Sequence, residues 1–358
     1  MNVHRNRILG KEMAPTAQVD IVLVQHLLNY WDGRGVDMDQ LWRVLDIDPQ
    51  LPLPIWVLTD RVADAYDFVA RELNDSLLAF DLGIYMAERD MPLQRLLRCA
   101  QSLKKGIEAL IPYVYLSTGS LRYQINAVQN GAVTISVERH PERHVSPLQL
   151  AAAVVIMAGV CRNALGASYD LGDLCMHLPE SEVSDRKRAE ELTNIAVNKT
   201  DGFYMLEISR EAWERPGPDP QPVLFKSVQR ELIRQDQRFR EHLELYAELK
   251  DILEMCLIRR NVTQEGVADQ LGISVRNLQR RLRALGTTYQ NLLDEARQGL
   301  SMKLICEGDM PLYEVAYKVG YTEPSAFYKA FRRWTGSTPG DYRQAYLSAI
   351  SAISVEDE

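Results

Sequence analysis

The chain has 358 residues, of which 46% are hydrophobic and 25% charged, which excludes wholesale disorder and collagen-like repeats and is enough for about two domains. The net charge of −8 argues against a nucleic-acid-binding protein if it is spread evenly. It is not spread evenly: the first 250 residues carry −7, residues 251–350 carry +2 and residues 351–358 carry −3.

No targeting or membrane segment is expected. No apolar stretch follows the basic residues near Met1, so the N-terminus does not read as a secretory signal. The longest apolar run, residues 150–160, is shorter than the ~20 residues that span a bilayer, and Ser146-Pro147 before it indicates the start of a buried helix. We therefore expect a cytoplasmic protein that does not contact membranes.

The five cysteines are odd in number, widely spaced and without a CxxC pair, so neither a disulfide framework nor a zinc ribbon is predicted. His140 and His144 have a spacing suited to metal binding, but Pro141 interrupts a helix there and no further ligand completes a site. We expect no metal and no cofactor. The absence of a glycine-rich phosphate loop, HExxH or GxSxG removes the easily recognised enzyme classes.

The first two thirds of the chain change periodicity once. Apolar spacing near 3.6 predicts helices in residues 19–31, 61–71 and 93–110, and alternation then predicts strands in 121–127 and 133–137, joined by a turn at Asn130-Gly131. After the buried helix from Pro147, two further strands are expected at 173–178 and 203–208. The fold class predicted is an α+β N-terminal domain, with helices on a small antiparallel sheet, followed by an all-α domain.

A proline-rich loop, residues 215–222, closes that domain, and residues 223–260 look helical. In the helical remainder, Thr263 is placed to cap a first helix, Gly272 to end it and Ser274 to cap a second helix. The second helix has an apolar face and a polar face, and no acidic residue occurs between Asp269 and Asp294. This pattern predicts a helix-turn-helix motif.

The pattern recurs about fifty residues later. An apolar stripe ends at Gly320, and a second helix over 323–334 turns Phe327, Phe331 and Trp334 inward. One amphipathic helix, residues 289–307, joins the two units. A rigid connection would fix the separation of the two second helices, and a separation of about 34 Å would let them enter successive major grooves of a DNA duplex.

Both the C-terminal and the N-terminal parts of the sequence resemble domains of a known family. Residues 245–346 resemble the DNA-binding domain of the AraC/XylS family of bacterial transcription regulators, in the phrases LGISVRNLQRRL (271–282), VAYKVGY (315–321) and FYKAFRRWTGSTPGDYR (327–343). The preceding residues resemble, less sharply, the arabinose-binding-type N-terminal domain of the ornithine/arginine-regulator-like branch, from LLAFDLG (77–83).

The resemblance implies which side chains contact double-stranded DNA. Arginine binds guanine and glutamine binds adenine with paired hydrogen bonds. The implied base-reading residues are Arg276, Gln279, Arg280, Glu323, Ser325 and Lys329. The implied phosphate contacts are Ser274, Arg283, Arg332 and Arg333. Pro324 and Ala326 stand where the family often has polar readers, so the second motif is expected to read sequence less strictly. For Arg281 and Arg333, solvation or an ion pair is the alternative.

The resemblance also implies RNA polymerase as a partner and a small-molecule effector or a homodimer interface in the N-terminal domain. Four side chains near the first strand are candidate effector ligands, although packing explains the tyrosines equally well: Tyr113, Tyr115, Arg122 and Tyr123. We expect a tail at 1–18, a sensing or dimerisation domain at 19–222, a linker helix at 223–244, the DNA-binding domain at 245–346 and an acidic tail at 347–358.

The leading functional hypothesis is a sequence-specific transcription regulator, an activator, controlled by an effector. One alternative is a regulator without a ligand, controlled by its abundance or by a protein partner. Another is a small-molecule-binding protein or enzyme whose helical tail mediates protein contacts. Loss of specific DNA binding on removing residues 251–358 would distinguish the first two from the third.

Overall fold

The computed structural model describes residues 7–9, 18–50, 53, 56–127, 131–141, 143–259, 262–285, 287–306 and 310–356. The chain divides into two compact units, Met1–Arg240 and Glu241–Glu358. Each unit has its own hydrophobic core. The first is built from helices and strands, and the second from helices only, so the predicted fold class is confirmed.

The described helices of the first unit, in chain order, are α1 (Ile21–Gly33), α2 (Met38–Leu45), α3 (Thr59–Leu73), α4 (Leu78–Ala87), α5 (Pro92–Arg98), α6 (Leu103–Leu110), α7 (Tyr115–Thr118), α8 (Pro147–Leu165), α9 (Arg186–Thr193) and α10 (Arg210–Glu214). The single helix predicted over 93–110 is wrong. It divides into α5 and α6 because Ser102 adopts an extended conformation and its Oγ accepts a hydrogen bond from the Lys105 amide at 3.3 Å, which starts a new helix.

The described strands are β1 (Arg7–Leu9), β2 (Gln18–Asp20), β3 (Trp56–Leu58), β4 (Leu121–Ala127), β5 (Val133–Arg139), β6 (Leu174–Pro179), β7 (Ala196–Thr200) and β8 (Tyr204–Ile208). Six of them form one sheet in the order β1-β4-β5-β8-β6-β7, and β2 pairs with β3 separately. The sheet is antiparallel except at one edge, where β6 and β7 run parallel across the α9 connection.

The predicted hairpin is confirmed in its strands. Leu121 pairs with Arg139 and Ala127 with Val133, so the register places Ile125 and Ile135 opposite one another in the core. Gln129 and Asn130 of the predicted turn lie outside the described residues. Gly131 has φ +83°, a conformation that favours glycine and suits a tight turn.

Helix α8 is the central core element of the first unit and packs against α4 and against the strands β5, β6 and β8. Residues Pro147–Ser168 are the one described segment long and apolar enough to cross a membrane, and 72% of its apolar window is buried inside the protein. Its partner α4 approaches closely at Gly83, where an added Cβ would collide with Val155. The expectation of a buried helix beginning at Pro147 is confirmed.

One long helix, α11 (Pro222–Ile258), begins in the first unit and continues into the second. The helices that follow are α12 (Gln264–Gln270), α13 (Val275–Ala284), α14 (Tyr289–Cys306), α15 (Leu312–Lys318), α16 (Pro324–Thr335) and α17 (Pro339–Glu356). Their shared core contains the buried side chains of Leu253, Leu278, Leu292, Phe327 and Phe331 among others. The backbone of α17 remains helical through Glu356, into the segment expected to be a tail.

Candidate nucleic-acid interface

The first helix-turn-helix unit is formed by α12 and α13, and its caps are local. Thr263 Oγ1 accepts a hydrogen bond from the Gly266 amide at 3.0 Å, and Ser274 Oγ accepts one from the Asn277 amide at 3.3 Å. Between the helices, Gly272 adopts φ +63°, the left-handed conformation that ends a helix without a Cβ clash. All three predicted roles are confirmed.

The α13 helix buries one face and exposes the other. Leu278 and Leu282 are 1% and 3% exposed. The opposite side is a solvent-exposed stripe with helical spacing i, i+3, i+4, i+7, made of Arg276, Gln279, Arg280 and Arg283, which we call the α13 stripe. Arg281 lies beside it and is half-buried. Residues at this spacing share one helix face, so the four side chains present a continuous polar surface.

The α13 stripe carries positive charge that is not neutralised by an ion pair within the described part of the chain. The described contacts of its members are hydrogen bonds to uncharged acceptors at 3.0 Å, from Gln279 Nε2 to Gln264 Oε1 and from the charged Arg280 Nη2 to Asn277 Oδ1. Both contacts are exposed and leave the charge of Arg280 unpaired, so they can exchange with the contacts of a ligand, since a hydrogen bond contributes only about 0.5–1.5 kcal/mol net, or about 1.5–3 kcal/mol with a charged group. The stripe is therefore available to an anionic, acceptor-rich partner.

The second helix-turn-helix unit repeats the architecture with α15 and α16. Val315 and Ala316 on α15 and Val319 at its C-cap are fully buried, Gly320 adopts φ +82°, and Pro324 occupies the first turn of the next helix. Glu323 is the N-cap residue, although its side chain makes no capping hydrogen bond. The predicted turn and helix are confirmed, with the helix extending to Thr335 instead of Trp334.

The exposed face of α16 differs from that of α13. Glu323, Ser325, Lys329 and Arg332 are exposed, as are Ala326 and Arg333. Arg333 Nη2 lies 3.4 Å from Asp294 Oδ2, so the ion-pair alternative holds for this arginine. Lys329 and Arg332 form no ion pair with a described residue. The second surface is thus positive toward the helix C-terminus and contains an apolar position near its start.

Arg297 on α14 is a structural residue that the sequence pattern did not reveal. Its Nε donates to the Val319 carbonyl at 3.2 Å and its Nη2 to the Gly320 carbonyl at 3.4 Å, while Nη1 lies 3.3 Å from Asp294 Oδ1. The guanidinium also stacks over the Tyr321 ring, 4.8 Å from its centroid. Burial raises the pKa of the Tyr321 hydroxyl, against the opposing pull of Arg297. One side chain therefore fixes the turn of the second helix-turn-helix unit to the connecting helix α14.

Arg343 makes a similar connection at the C-terminal end of α14. Its Nε donates to the Ile305 carbonyl at 3.2 Å and its Nη2 to the Met310 carbonyl at 2.8 Å. These bonds satisfy carbonyls at and beyond the end of α14, which have no partner inside that helix. Together, Arg297 and Arg343 attach α15 and α17 to α14. The connecting helix is therefore held rigidly within the second compact unit.

The four candidate effector side chains are not brought together. Tyr123 lines an internal cavity of the first unit, whereas Tyr113, Tyr115 and Arg122 do not. The Tyr115 hydroxyl donates to Asp236 on α11, and its ring lies 5.9 Å from that of Phe239. Tyr115 therefore packs against the long helix, in agreement with the packing alternative for this residue.

The cysteines and the pair His140 and His144 are the other potential metal ligands noted in the sequence. The five cysteines are all free thiols. His140 and His144 belong to no group of three or more metal-ligating side chains within the described residues, and His144 Nε2 lies 2.8 Å from Asp67 Oδ2. These histidines and cysteines are therefore not combined into a site in the described part of the chain.

The two consecutive helix-turn-helix units, each with an exposed polar second helix, define a protein of the double helix-turn-helix class. Comparison with known families agrees. A helix-turn-helix domain model matches residues 267–345, and the model of the arabinose-binding N-terminal domain of AraC transcription regulators matches residues 35–217, about half of the chain. The chain belongs to the AraC family of transcription regulators, whose members are not enzymes.

Similar proteins include the ornithine utilization regulator of Pseudomonas aeruginosa, 32% identical over 162 residues, which are 44% of this chain and 47% of that protein. The regulator VirS of Mycobacterium tuberculosis is 38% identical over 79 residues, 22% of this chain and 23% of VirS. These alignments span less than half the length of either relative.

Among solved structures, the transcriptional regulator CdpR from P. aeruginosa is 21% identical, with a TM-score of 0.38, over 88% of this chain and 98% of that chain. A DNA-binding transcriptional dual regulator from Escherichia coli K-12 is 28% identical, with a TM-score of 0.25, over 28% of this chain and 93% of that chain.

Proposed function

We propose that this protein is a sequence-specific DNA-binding regulator in which α13 and α16 enter two successive major grooves on one face of the duplex. The observation that carries the proposal is the α13 stripe, an exposed Arg/Gln surface without an ion pair among the described residues. The connecting helix α14 has 18 residues, about 27 Å at 1.5 Å per residue. A rigid element of this length suits the ~34 Å repeat of the major groove.

The two helices have unequal roles in the proposal. Arg276, Gln279 and Arg280 read base edges from α13, with Ser274 and Arg283 on phosphates. Arginine and glutamine suit this role because each forms paired hydrogen bonds to a purine edge. Because the exposed members of the stripe recur over two helical turns, they can contact several successive base pairs.

On α16, Glu323, Ser325 and Lys329 read bases and Arg332 contacts phosphate. Arg333 contacts phosphate only by giving up its 3.4 Å ion pair with Asp294. Exposed ion pairs of this kind contribute about 0–1 kcal/mol, so replacing Asp294 by a phosphate costs Arg333 little free energy. The exposed Ala326 offers only a methyl group to the groove. We therefore assign most of the sequence discrimination to α13 and most of the phosphate anchoring to the C-terminal half of α16.

Regulation is the second part of the proposal. The protein acts in the cytoplasm as an activator that contacts RNA polymerase, and a small-molecule effector bound in the first unit controls it. Membership of the AraC family supports these roles, and an internal cavity in the first unit supports the effector. A homodimer is also proposed, because residues 251–350 carry a net charge of only +2 and a second protomer adds phosphate contacts and affinity.

The experiment is a gel-shift titration of the full chain against DNA from upstream of its own gene and against a random duplex of equal length, at several salt concentrations. We expect the upstream DNA to bind at least about 10³-fold more tightly. Arg276→Ala should remove most of this preference, whereas Arg238→Ala, at an exposed arginine of α11, should not. Equal affinity for the two DNAs at every salt concentration would refute the proposal.

A further inference from the structure

The first unit contains a partly open cavity of about 100 Å³. It lies among helices α1, α3, α4, α5, α6, α7 and α8 and strands β2 and β4. Its wall is mainly apolar, with Leu23, Val62, Leu121, Ile156 and Met157 as representative members. Within the described part of the chain, the side chains that line it include none with a formal charge at neutral pH. A charged molecule would therefore leave water without gaining a counter-ion, which is strongly unfavourable.

Two buried glutamines place amide groups in the mainly apolar wall. Gln94 and Gln149 both line the cavity and are only 7% and 8% exposed. Gln94 Nε2 donates to the Met86 carbonyl at 3.3 Å, and Gln149 Nε2 donates to Ser120 Oγ at 3.5 Å. The Oε1 atom of each glutamine is buried without a hydrogen-bond partner among the described residues. Buried acceptors of this kind are rarely left unsatisfied in folded proteins.

The orientation of Gln94 is set by chemistry. The Met86 carbonyl can only accept a hydrogen bond, so the amide nitrogen must face it and the oxygen must face away. Gln94 lines the cavity, so its Oε1 is the atom of this amide left to accept a hydrogen bond from a ligand there. The group that would satisfy it is an N–H or O–H donor.

The remaining polar groups of the wall are neutral hydroxyls, those of two tyrosines and of Thr59, Ser117, Thr118 and Ser120. Tyr66 and Tyr123 line the cavity, and burial raises the pKa of both hydroxyls above the ordinary value. The Tyr123 hydroxyl also forms a hydrogen bond with the Thr118 side chain. These tyrosines therefore add aromatic surface and neutral dipoles at working pH, and no anionic group for a cation.

We propose that this cavity binds a small, neutral, mainly apolar molecule, about the size of a single aromatic ring, whose O–H or N–H group donates to Gln94 or Gln149. A single ring is the upper limit of size, because an apolar cavity of roughly 150 Å³ holds a benzene molecule and this cavity, of about 100 Å³, is smaller but partly open. The inference deepens the regulatory function proposed above, on which the role of the ligand as an effector rests. It excludes a charged amino acid such as ornithine, and it disfavours a sugar such as arabinose, whose many hydroxyls would leave water for a mainly apolar wall.

The test compares two probes of nearly equal shape, phenol and toluene, on the full chain by ligand-observed NMR titration and thermal shift. Phenol carries one O–H donor and toluene none. A net hydrogen bond is worth about 2- to 12-fold in affinity, so phenol should bind more tightly than toluene by that factor. Arabinose and ornithine at the same concentration should give no shift.

Two variants separate the hydrogen bond from the cavity itself. In Gln94→Met/Gln149→Met the preference for phenol over toluene should disappear, whereas the matched control Gln237→Met, at an exposed position of α11, should keep it. Ala153→Leu adds a side chain at a wall position and should weaken both probes at least tenfold. If the double variant does not fold, the comparison of probes on wild-type protein and on Ala153→Leu still decides.

Equal affinity for phenol and toluene, binding of arabinose or ornithine, or no binding of either aromatic probe would overturn the inference. DNA binding is measured on the same samples, so that the two proposals fail separately. Specific DNA binding without a response to phenol contradicts the cavity assignment alone. A phenol preference that depends on the glutamines, in a protein that does not distinguish its DNA from random duplex, contradicts the DNA-binding function alone.

Discussion

The helices α13 and α16 occupy equivalent places in two copies of one architecture, yet their exposed faces differ. Each follows a helix with one buried apolar face and then a glycine with positive φ, and each buries its inner face in the common core. The α13 helix exposes four polar residues in one stripe, while α16 begins with Pro324, exposes Ala326 and has Arg333 paired with Asp294.

This difference teaches that the fold and the recognition surface depend on separate residues. The inner faces are apolar in both units because burial stabilises the three-dimensional arrangement of each pair of helices. The outer faces contribute little to stability, since exposed substitutions usually change it by less than 0.5 kcal/mol in either direction. The outer faces are therefore free to divide base reading and phosphate anchoring between them.

The largest expected effect comes from the shared inner core. Phe331 is fully buried and its ring lies 5.7 Å from that of Phe327 and 5.6 Å from that of Tyr342. Phe331→Ala should lower the free energy of unfolding by about 3–5 kcal/mol, and Leu278→Ala in the first helix-turn-helix unit by about 2–5 kcal/mol. Urea unfolding of the full chain measures both. Tyr346→Ala, at an exposed position, is the control, and a loss below 1 kcal/mol at Phe331 would show that the second core is not as described.

The next effect distinguishes the two outer faces. Gln279→Ala should weaken binding by about 1–3 kcal/mol and relax base preference at one half-site, because it removes a paired hydrogen bond to a base. Ser325→Ala on α16 should cost less, since a serine forms a single contact. Anisotropy titrations against a panel of single-base variants of the site measure both. The exposed Gln237→Ala is the control, and a uniform loss across the whole panel for Gln279→Ala would count against its role as a reader.

The two turn glycines should respond unequally. Both Gly272 and Gly320 have positive φ, so an alanine at either position costs about 1–2 kcal/mol of conformational strain. At Gly320 the added Cβ also lies 3.2 Å from Leu257, whereas nothing lies within 4 Å of it at Gly272. Gly320→Ala should therefore be the more destabilising in urea unfolding. A larger loss of unfolding free energy for Gly272→Ala than for Gly320→Ala would contradict the closer packing around Gly320.

The smallest effect concerns two adjacent arginines. Arg332→Ala should weaken binding to all sequences alike and reduce the slope of log K against log salt by about 1, because one phosphate contact is lost. Arg333→Ala should change the slope less, since Arg333 must first leave Asp294. Salt titrations with specific and random duplexes measure both slopes, with Arg238→Ala as the control. A larger change of slope for Arg333→Ala than for Arg332→Ala would show that Arg333, and not Arg332, makes the main phosphate contact.

Much of the structure of the second compact unit could be predicted from the sequence, because its helix caps and turns are encoded locally. Thr263, Gly272 and Ser274 act within three or four residues of their partners, and a helix cap or a left-handed glycine is encoded at that range. The inward faces of α13 and α16 followed from helical periodicity. The base-reading and phosphate assignments stay predictions, because no nucleic acid contacts are present to test them.

The features that the sequence did not reveal depend on distant partners. Arg297 bonds carbonyls 22 and 23 residues away, and β7 pairs in parallel with β6 across a helix. The cavity is assembled from segments between Val19 and Val160, and its glutamines carry no local pattern. Such arrangements follow from tertiary packing, which periodicity and capping do not specify.

The measurement that tests the central claim most directly is selection of preferred sites from a random duplex library by the wild-type protein and by Arg276→Ala/Gln279→Ala. The account predicts a wild-type site with two half-sites about 10–10.5 base pairs apart, of which the one read by α13 is the more sharply defined and loses its base preference in the variant. A single half-site, or a two-part site that the variant selects unchanged, would contradict it.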